Sequence, residues 1–273
     1  MAELGWGSPA IQYEYRLSSD PARMSALAQE IVALAPDVIV VHSNAFLSAL
    51  RDVNRGIPTV FAQVADPVGS GFVDNLAHPG GSITGFTSLP AEIGGKWLEI
   101  LSEAAPFLTH VLTLFQPESS ANRAFVASAQ AAAATRQITI KPAPVRSATD
   151  IENAVKGFGP DPAAGLMVMP SPITGSNPGL IAGLALRQRL PCVYPFRFFV
   201  TDGGGLMAYG PDTVDLYERA AVYVDRILRG ARPADLPVQE PTKFELIVNL
   251  KAARAIGLVF PAVLLARAEE IVE

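Results

Sequence analysis

Tyr194-Pro-Phe-Arg-Phe-Phe-Val-Thr-Asp-Gly-Gly-Gly-Leu-Met-Ala-Tyr-Gly210 is where this chain stops repeating itself. Before it, short apolar runs alternate with helical patterns. Within it, aromatic rings, one arginine and three successive glycines crowd a point where the chain must reverse. Such a cluster suits a ligand-facing surface better than a bare core. Gly203-Gly-Gly205 reads as a flexible turn, Leu206–Tyr209 as a strand, and Asp212–Arg229 as a long amphipathic helix. A second stretch, Ala234-Asp-Leu-Pro-Val-Gln-Glu-Pro-Thr-Lys-Phe-Glu-Leu-Ile-Val-Asn-Leu-Lys251, adds a strand over Phe244–Asn249 and then a short helical tail.

Working back to the start, the repeat is strand, helix, strand. Ile11–Tyr15 is a short extended run, and Asp20-Pro21 opens a helix through Ala33. Asp37–Val41 is apolar enough to be a strand covered on both faces. Ser43 and Asn44 begin a helix through Val53. Strands follow at Thr59–Phe61 and Ile83–Phe86, then a helix at Ala91–Ala104. The pattern resumes with strand Val111–Phe115, helix Ser119–Thr135, a strand near Ile138–Ile140 and helix Thr149–Phe158. Gly165–Met169, helix Pro178–Arg189 and Cys192–Tyr194 complete it. This order predicts parallel sheets with right-handed crossovers. Two such sets, joined near Ala105-Pro106, read as two similar Rossmann-like lobes, an α/β fold. The irregular tail predicts that the chain crosses back between lobes, near Leu206 and Leu236. Lobe 1 is then 1–105 with 206–235, and lobe 2 is 106–205 with 236–273.

Composition narrows the function classes. At 273 residues with 49% hydrophobic, the chain is long enough for two domains with substantial cores. A net charge of −5 and a pI near 5.3 argue against a nucleic-acid partner, which needs a basic stripe. The lone Cys192 excludes an internal disulfide framework. His42, His78 and His110 show no metal-ligand spacing. Mean hydropathy is high, at +0.28, yet no apolar run reaches the roughly 18 residues of a membrane helix. Met-Ala-Glu-Leu-Gly-Trp lacks the basic-then-apolar order of a signal peptide. Catalytic signatures are missing too: no phosphate-binding Gly-x-x-x-x-Gly-Lys, no Gly-x-Ser-x-Gly elbow, no His-Glu-x-x-His. Gly203-x-Gly205-x-x-Ala208 precedes a strand instead of opening a helix, so it is not a dinucleotide loop.

The quoted stretches, with Ala65-Asp-Pro-Val68 and His78-Pro-Gly-Gly-Ser-Ile-Thr-Gly85, occur in the order of one family. From about Leu4 to Glu273 the chain resembles the substrate-binding proteins of ABC importers of the tryptophan/tyrosine type. The resemblance implies the type I periplasmic-binding-protein fold, two lobes joined by a multi-strand hinge and closing on a small ligand. It implies an aromatic or related amino acid or carboxylate, ABC permease subunits as membrane partners, no cofactor, and a monomer. It also implies a periplasmic or lipid-anchored setting. Members usually place a strand and a helix before the Gly-Trp turn. Here Gly5-Trp6 comes almost at once, so the expectation is that Met1–Trp6 is the last turn of that helix and the first strand is missing. The competing class is an enzyme on a doubly wound fold.

In open parallel sheets ligands sit beyond the carboxyl ends of the strands. Ser43 and Asn44 follow the second strand; free N–H groups at that helix start suit a carboxylate, and plain capping suits the same residues. Asp66-Pro67 suits an ammonium group or an Asp bonding its own turn. Thr84-Gly85 offers a hydroxyl and close approach, or simply a strand-end turn. In lobe 2, Gln116 stands where the family usually has Asn. Ser171 follows Met169-Pro170, where many relatives carry an acid that this chain lacks. Tyr194 and Phe196 suit stacking on a planar ligand. Arg197 suits a bidentate carboxylate pair, or packing in which Asp202 or Glu240 satisfies it. Tyr209 ends the crossover strand.

Overall fold

The computed structural model describes residues 1–7, 10–18, 20–159 and 161–273. In chain order the elements are α1 (Pro21–Ala33), β1 (Ile39–His42), α2 (Asn44–Val53), β2 (Thr59–Val64), β3 (Ile83–Thr87) and α3 (Ile93–Ala104). Then come β4 (His110–Phe115), α4 (Ser120–Ala134), β5 (Thr139–Pro144), α5 (Ala148–Phe158), β6 (Ala164–Val168), α6 (Pro172–Gly175) and α7 (Pro178–Arg187). The rest are β7 (Cys192–Tyr194), α8 (Phe198–Thr201), β8 (Met207–Pro211), α9 (Thr213–Leu228), β9 (Phe244–Asn249), α10 (Leu250–Ile256), α11 (Ala262–Leu265) and β10 (Glu270–Val272). They form two compact α/β units. The first is Met1–Pro90 with Pro211–Lys243, the second Ala91–Gly210 with Phe244–Glu273.

In the first unit, β1, β2 and β3 form a parallel three-stranded sheet. Asp20 caps α1 by accepting from the Ala22 N–H, with Pro21 at the first helical position. Ile39 packs with Ala28, Ile31 and Leu50, and Val41 with Leu47. The other face of β1 differs from the two-sided burial expected for Asp37–Val41: Val40 is 48% exposed. The amphipathic α9 lays Leu216, Ala220 and Tyr223 over Val60 and Phe86. Ile11–Tyr15, expected as a short extended run, joins no sheet ladder among the described residues. The Gly5-Trp6 turn is tied down by the Trp6 indole N–H, which donates to Asp225 at 2.7 Å. That bond, followed by one from Arg229, lowers the Asp225 carboxyl below its usual range.

The second unit holds a seven-stranded sheet in the order β10-β9-β8-β7-β6-β4-β5. The ladders from β5 through β8 are parallel, as is β10 with β9. The Asn249 N–H, at the end of β9, donates to the Leu206 carbonyl at the start of β8, so β9 runs against β8. The core is built from near-continuous apolar strands such as β6, buried along its whole length, as expected for a sheet covered on both faces.

The unit boundaries differ from 105, 206 and 236, each because of specific tertiary contacts. α3 belongs with α4: a Cβ on Gly94 would lie 2.0 Å from the Phe125 carbonyl oxygen, and Ser128 Oγ donates to the Glu92 carbonyl at 3.1 Å. The crossing therefore falls after Pro90. β8 extends the β7 ladder, pairing Met207 with Val193, so the next crossing waits until Gly210. The segment after Leu236 stays with the first unit. Thr84 Oγ1 donates to the Leu236 carbonyl, the Tyr223 hydroxyl to the Pro237 carbonyl, and Gln239 bridges Phe86.

The glycine run after Tyr194 is a packing device. A Cβ on Gly205 would meet the Tyr194 ring at 2.5 Å, and one on Gly210 the Pro195 carbonyl oxygen at 1.9 Å. Tyr194 stacks on Phe199, and Phe198 on both Phe199 and Phe196. The stretch thus folds as β7, the short α8 and β8 around its own rings.

Candidate functional site

Parallel strands place their following loops at one end of each sheet, and in each unit those loops carry the polar groups. In the first unit the loop after β1 stands out. Ser43 has φ 76° and ψ 152°, a region that side-chain-bearing residues adopt at a cost of order 1–3 kcal/mol. Its hydroxyl makes no cap bond, so the capping reading fails for Ser43 and the first N–H groups of α2 keep their anion-binding character. Asn44 is a staple: its amide donates to the Ala65 carbonyl at 2.6 Å and accepts from the Ala65 N–H at 2.9 Å. It fixes the β1 loop against the β2 loop.

Beyond β2, Gln63 and Asp66 also have positive φ, at 58° and 46°, and the β2–β3 register shifts between Ala62 and Val64. Asp66 accepts from the Gly69 N–H at 2.9 Å, the turn-forming reading, while remaining half-buried beside buried Pro67. Thr84 and Gly85 are corrected. They lie within β3, not at its end. Thr84 is fully buried and its hydroxyl bonds Leu236. Gly85 is required because a Cβ would meet the Phe61 carbonyl oxygen at 2.1 Å. The strand runs on to Thr87, whose buried hydroxyl has no hydrogen-bond partner. Thr87 and Ser88 lie just past the Ile83–Phe86 expected for this strand, which is one residue longer than its sequence pattern predicts.

In the second unit the Gln116 N–H donates to Asn122 Oδ1 at 2.9 Å, and Asn122 Nδ2 donates to the Pro170 carbonyl at 2.8 Å. Asn122, 2% exposed, does for the β4 and β6 loops what Asn44 does for β1 and β2. It sits on the buried stripe of α4 with Phe125, Val126 and Ala129, so a polar residue on an apolar face was its sequence signal. Ser171 opens α6 through a reciprocal capping box with Thr174, the plain structural role for that hydroxyl.

The aromatic stretch separates on inspection. Tyr194 is a core residue, 1% exposed, because β7 is an inner strand. Burial raises its hydroxyl well above the ordinary range, and the neighbouring Cys192 adds to this. That hydroxyl makes no hydrogen bond of ordinary geometry, although it interacts with the Cys192 thiol; the thiol, itself raised by burial, donates to the Val193 carbonyl at 3.8 Å. A stacking role for Tyr194 on a ligand therefore does not fit this placement. Phe196 and Tyr209 are half-buried, and Tyr209 stacks on Phe244 with ring centroids 5.6 Å apart. Arg197 pairs with Glu245 at 3.0 Å and with Glu270, not with Asp202 or Glu240. The antiparallel course of β9 and the start of β10 bring those carboxylates to the end of β7. Among the described residues no cluster of three or more metal-ligating side chains forms.

The family profile for ABC transporter substrate binding proteins matches residues 3–272. A tyrosine-binding protein of Clostridioides difficile is 22% identical over 240 residues, covering 88% of this chain and 68% of that protein. A Streptococcus pneumoniae domain solved in complex with L-Trp superposes with a TM-score of 0.90 at 22% identity, over 99% of this chain and 91% of its own. A conserved domain protein of Vibrio cholerae follows at 0.87 and 25% identity, over 97% and 88%. The fold is therefore the type I periplasmic-binding-protein fold. The family is one of solute-binding proteins, not enzymes. By the extent of that match, the chain belongs to the ABC transporter substrate binding protein family.

Proposed function

We propose that the protein is the receptor of an ABC importer for an amino acid with an aromatic or related side chain. On this reading it binds the solute outside the cytoplasmic membrane as a monomer and hands it to permease subunits. The observation that carries the reading is the strained, uncapped start of α2 at Ser43. The Ser43 hydroxyl caps nothing at that φ and ψ, so the helix N–H groups beside it stay open, and a carboxylate bound there would use them. Asp66, with Pro67 fixing its turn, takes the ammonium group. Asn44 holds these two loops in register. On the second unit Gln116, Ser171 and Phe196 edge the corresponding loops, and Tyr209 and Arg197 complete that set. Arg197 orders the loop through its two glutamates. A tyrosine-binding relative and an L-Trp-bound structural neighbour support the ligand class.

Titration calorimetry with L-tryptophan, L-tyrosine and a panel of other amino acids tests this. Asp66→Asn keeps an acceptor for the Gly69 N–H but removes the charge. It is expected to weaken binding by about 10- to 100-fold, the worth of one charge-assisted hydrogen bond. Saturable binding that Asp66→Asn leaves unchanged removes the ammonium role. Consumption of the amino acid during the titration contradicts the receptor reading.

A further inference from the structure

Segment 237–243 forms no helix or strand of its own, yet it runs beside α9 to the carboxyl end of β3. Its backbone meets that strand at Gln239. The Gln239 N–H donates to the Gly85 carbonyl at 3.0 Å, and the Thr87 N–H donates to the Gln239 carbonyl at 2.9 Å. Thr87 is the last residue of β3. On one side it pairs with Val64 of β2, and on the other Gln239 is its neighbour. Ser88 follows, with its N–H on the Val64 carbonyl at 3.2 Å. The end of β3 is therefore held in place by a segment without a ladder of its own.

Side chains of α9 hold that segment. The Arg219 guanidinium donates to Gln239 Oε1, to the Glu240 carbonyl at 3.2 Å and to Thr242 Oγ1 at 3.3 Å. It also lies 5.0 Å from the centre of the Phe86 ring and 3.7 Å from Asp215. Gln239 Nε2 donates in turn to the Tyr223 hydroxyl at 2.9 Å, and that hydroxyl donates to the Pro237 carbonyl at 2.6 Å. Lys243 closes the segment on Asp215 at 2.7 Å. Only the planar fork of an arginine spreads N–H groups over several oxygens at once; a lysine at 219 has a single nitrogen.

We propose that Arg219 is a positioning residue for the solute: through Gln239 it fixes Thr87 and Ser88 at the carboxyl end of β3. Arg219 does not touch the ligand. It acts as a support whose geometry the binding loop inherits, as sites depend on the shell behind them. This role rests on the receptor reading given above.

The test compares Arg219→Lys and Tyr223→Phe with Arg229→Lys, a control on the same helix that bonds Asp225 and the Leu4 carbonyl instead. Hydrogen exchange of the full chain, followed by amide NMR, reads the positions of interest. In the first two variants the Thr87 and Gln239 amides are expected to exchange about tenfold faster. The Thr59 amide, bonded to the Ser82 carbonyl, stays as in the wild type. Calorimetry with L-tryptophan and L-tyrosine, well below the unfolding midpoint, is expected to show binding about 5- to 10-fold weaker in both variants and unchanged in Arg229→Lys. Wild-type exchange at Thr87 in Arg219→Lys, or faster exchange with unaltered affinity, overturns the role and leaves the receptor reading standing. An equal loss of affinity in Arg229→Lys also overturns it, because the effect then belongs to α9 as a whole. A wild-type chain that binds neither amino acid contradicts the receptor reading, and this role with it.

Discussion

Trp97→Ala is expected to destabilise the second unit by about 3–5 kcal/mol, the range for removing a large buried aromatic. Trp97 is 1% exposed on α3. Its ring meets Phe125 of α4 edge-on at 5.7 Å, and its indole N–H donates to the Tyr209 carbonyl at 2.7 Å. One side chain thus joins the α3–α4 pair to β8. Truncation leaves a cavity and strips Tyr209 of its donor. Trp97→Phe separates the two losses: it keeps most of the volume and is expected to cost about 1 kcal/mol for the hydrogen bond, plus some packing. Denaturant unfolding measures both. Equal, small losses for both variants contradict the assignment of Trp97 as the core's anchor.

The second large effect is expected at Asn122→Ala, about 2–5 kcal/mol. The Gln116 N–H and the Pro170 carbonyl both lose their partner beside the buried Asn122, and each unsatisfied group costs about 1–3 kcal/mol. Asn44→Ala removes a similar pair of bonds from Ala65, but Asn44 is only half-buried. Water can replace it in part, so the expected loss is smaller. The order Asn122 above Asn44, read from unfolding midpoints, checks the account of both staples. The reverse order contradicts it.

Most of the fold was legible because its signals are local and period-bound. Strand Cys192–Tyr194 and strand Phe244–Asn249 matched to the residue, as apolar runs between turn signals should. The unit boundaries were not legible, because they depend on contacts far apart in sequence. Gly94 against Phe125 and Thr84 against Leu236 decide which unit claims α3 and the 236–243 segment. The site divided along the same line. Ser43, Asn44 and Asp66 do lie in strand-end loops, where strand ends and residue chemistry put them. Tyr194 was misjudged because an aromatic at the end of an inner strand looks the same whether it packs inward or outward. Arg197 drew its partners from β9 and β10, which nothing near it in sequence announces. Thr87 and Asn122 needed exact strand length and helix facing, the least certain features of any pattern.

The central claim is that the chain binds an amino acid without chemistry, and that the carboxyl-end loops of each unit's sheet respond to it. Hydrogen exchange of the full chain, read by peptide mass spectrometry with and without saturating L-tryptophan or L-tyrosine, tests it most directly. The account predicts slowed exchange in the peptides over 43–47, 63–71 and 87–89 of the first unit, and 116–122 and 195–199 of the second. The amino acid should be recovered unchanged. Unaltered exchange in all of these peptides, despite saturable binding, would contradict it.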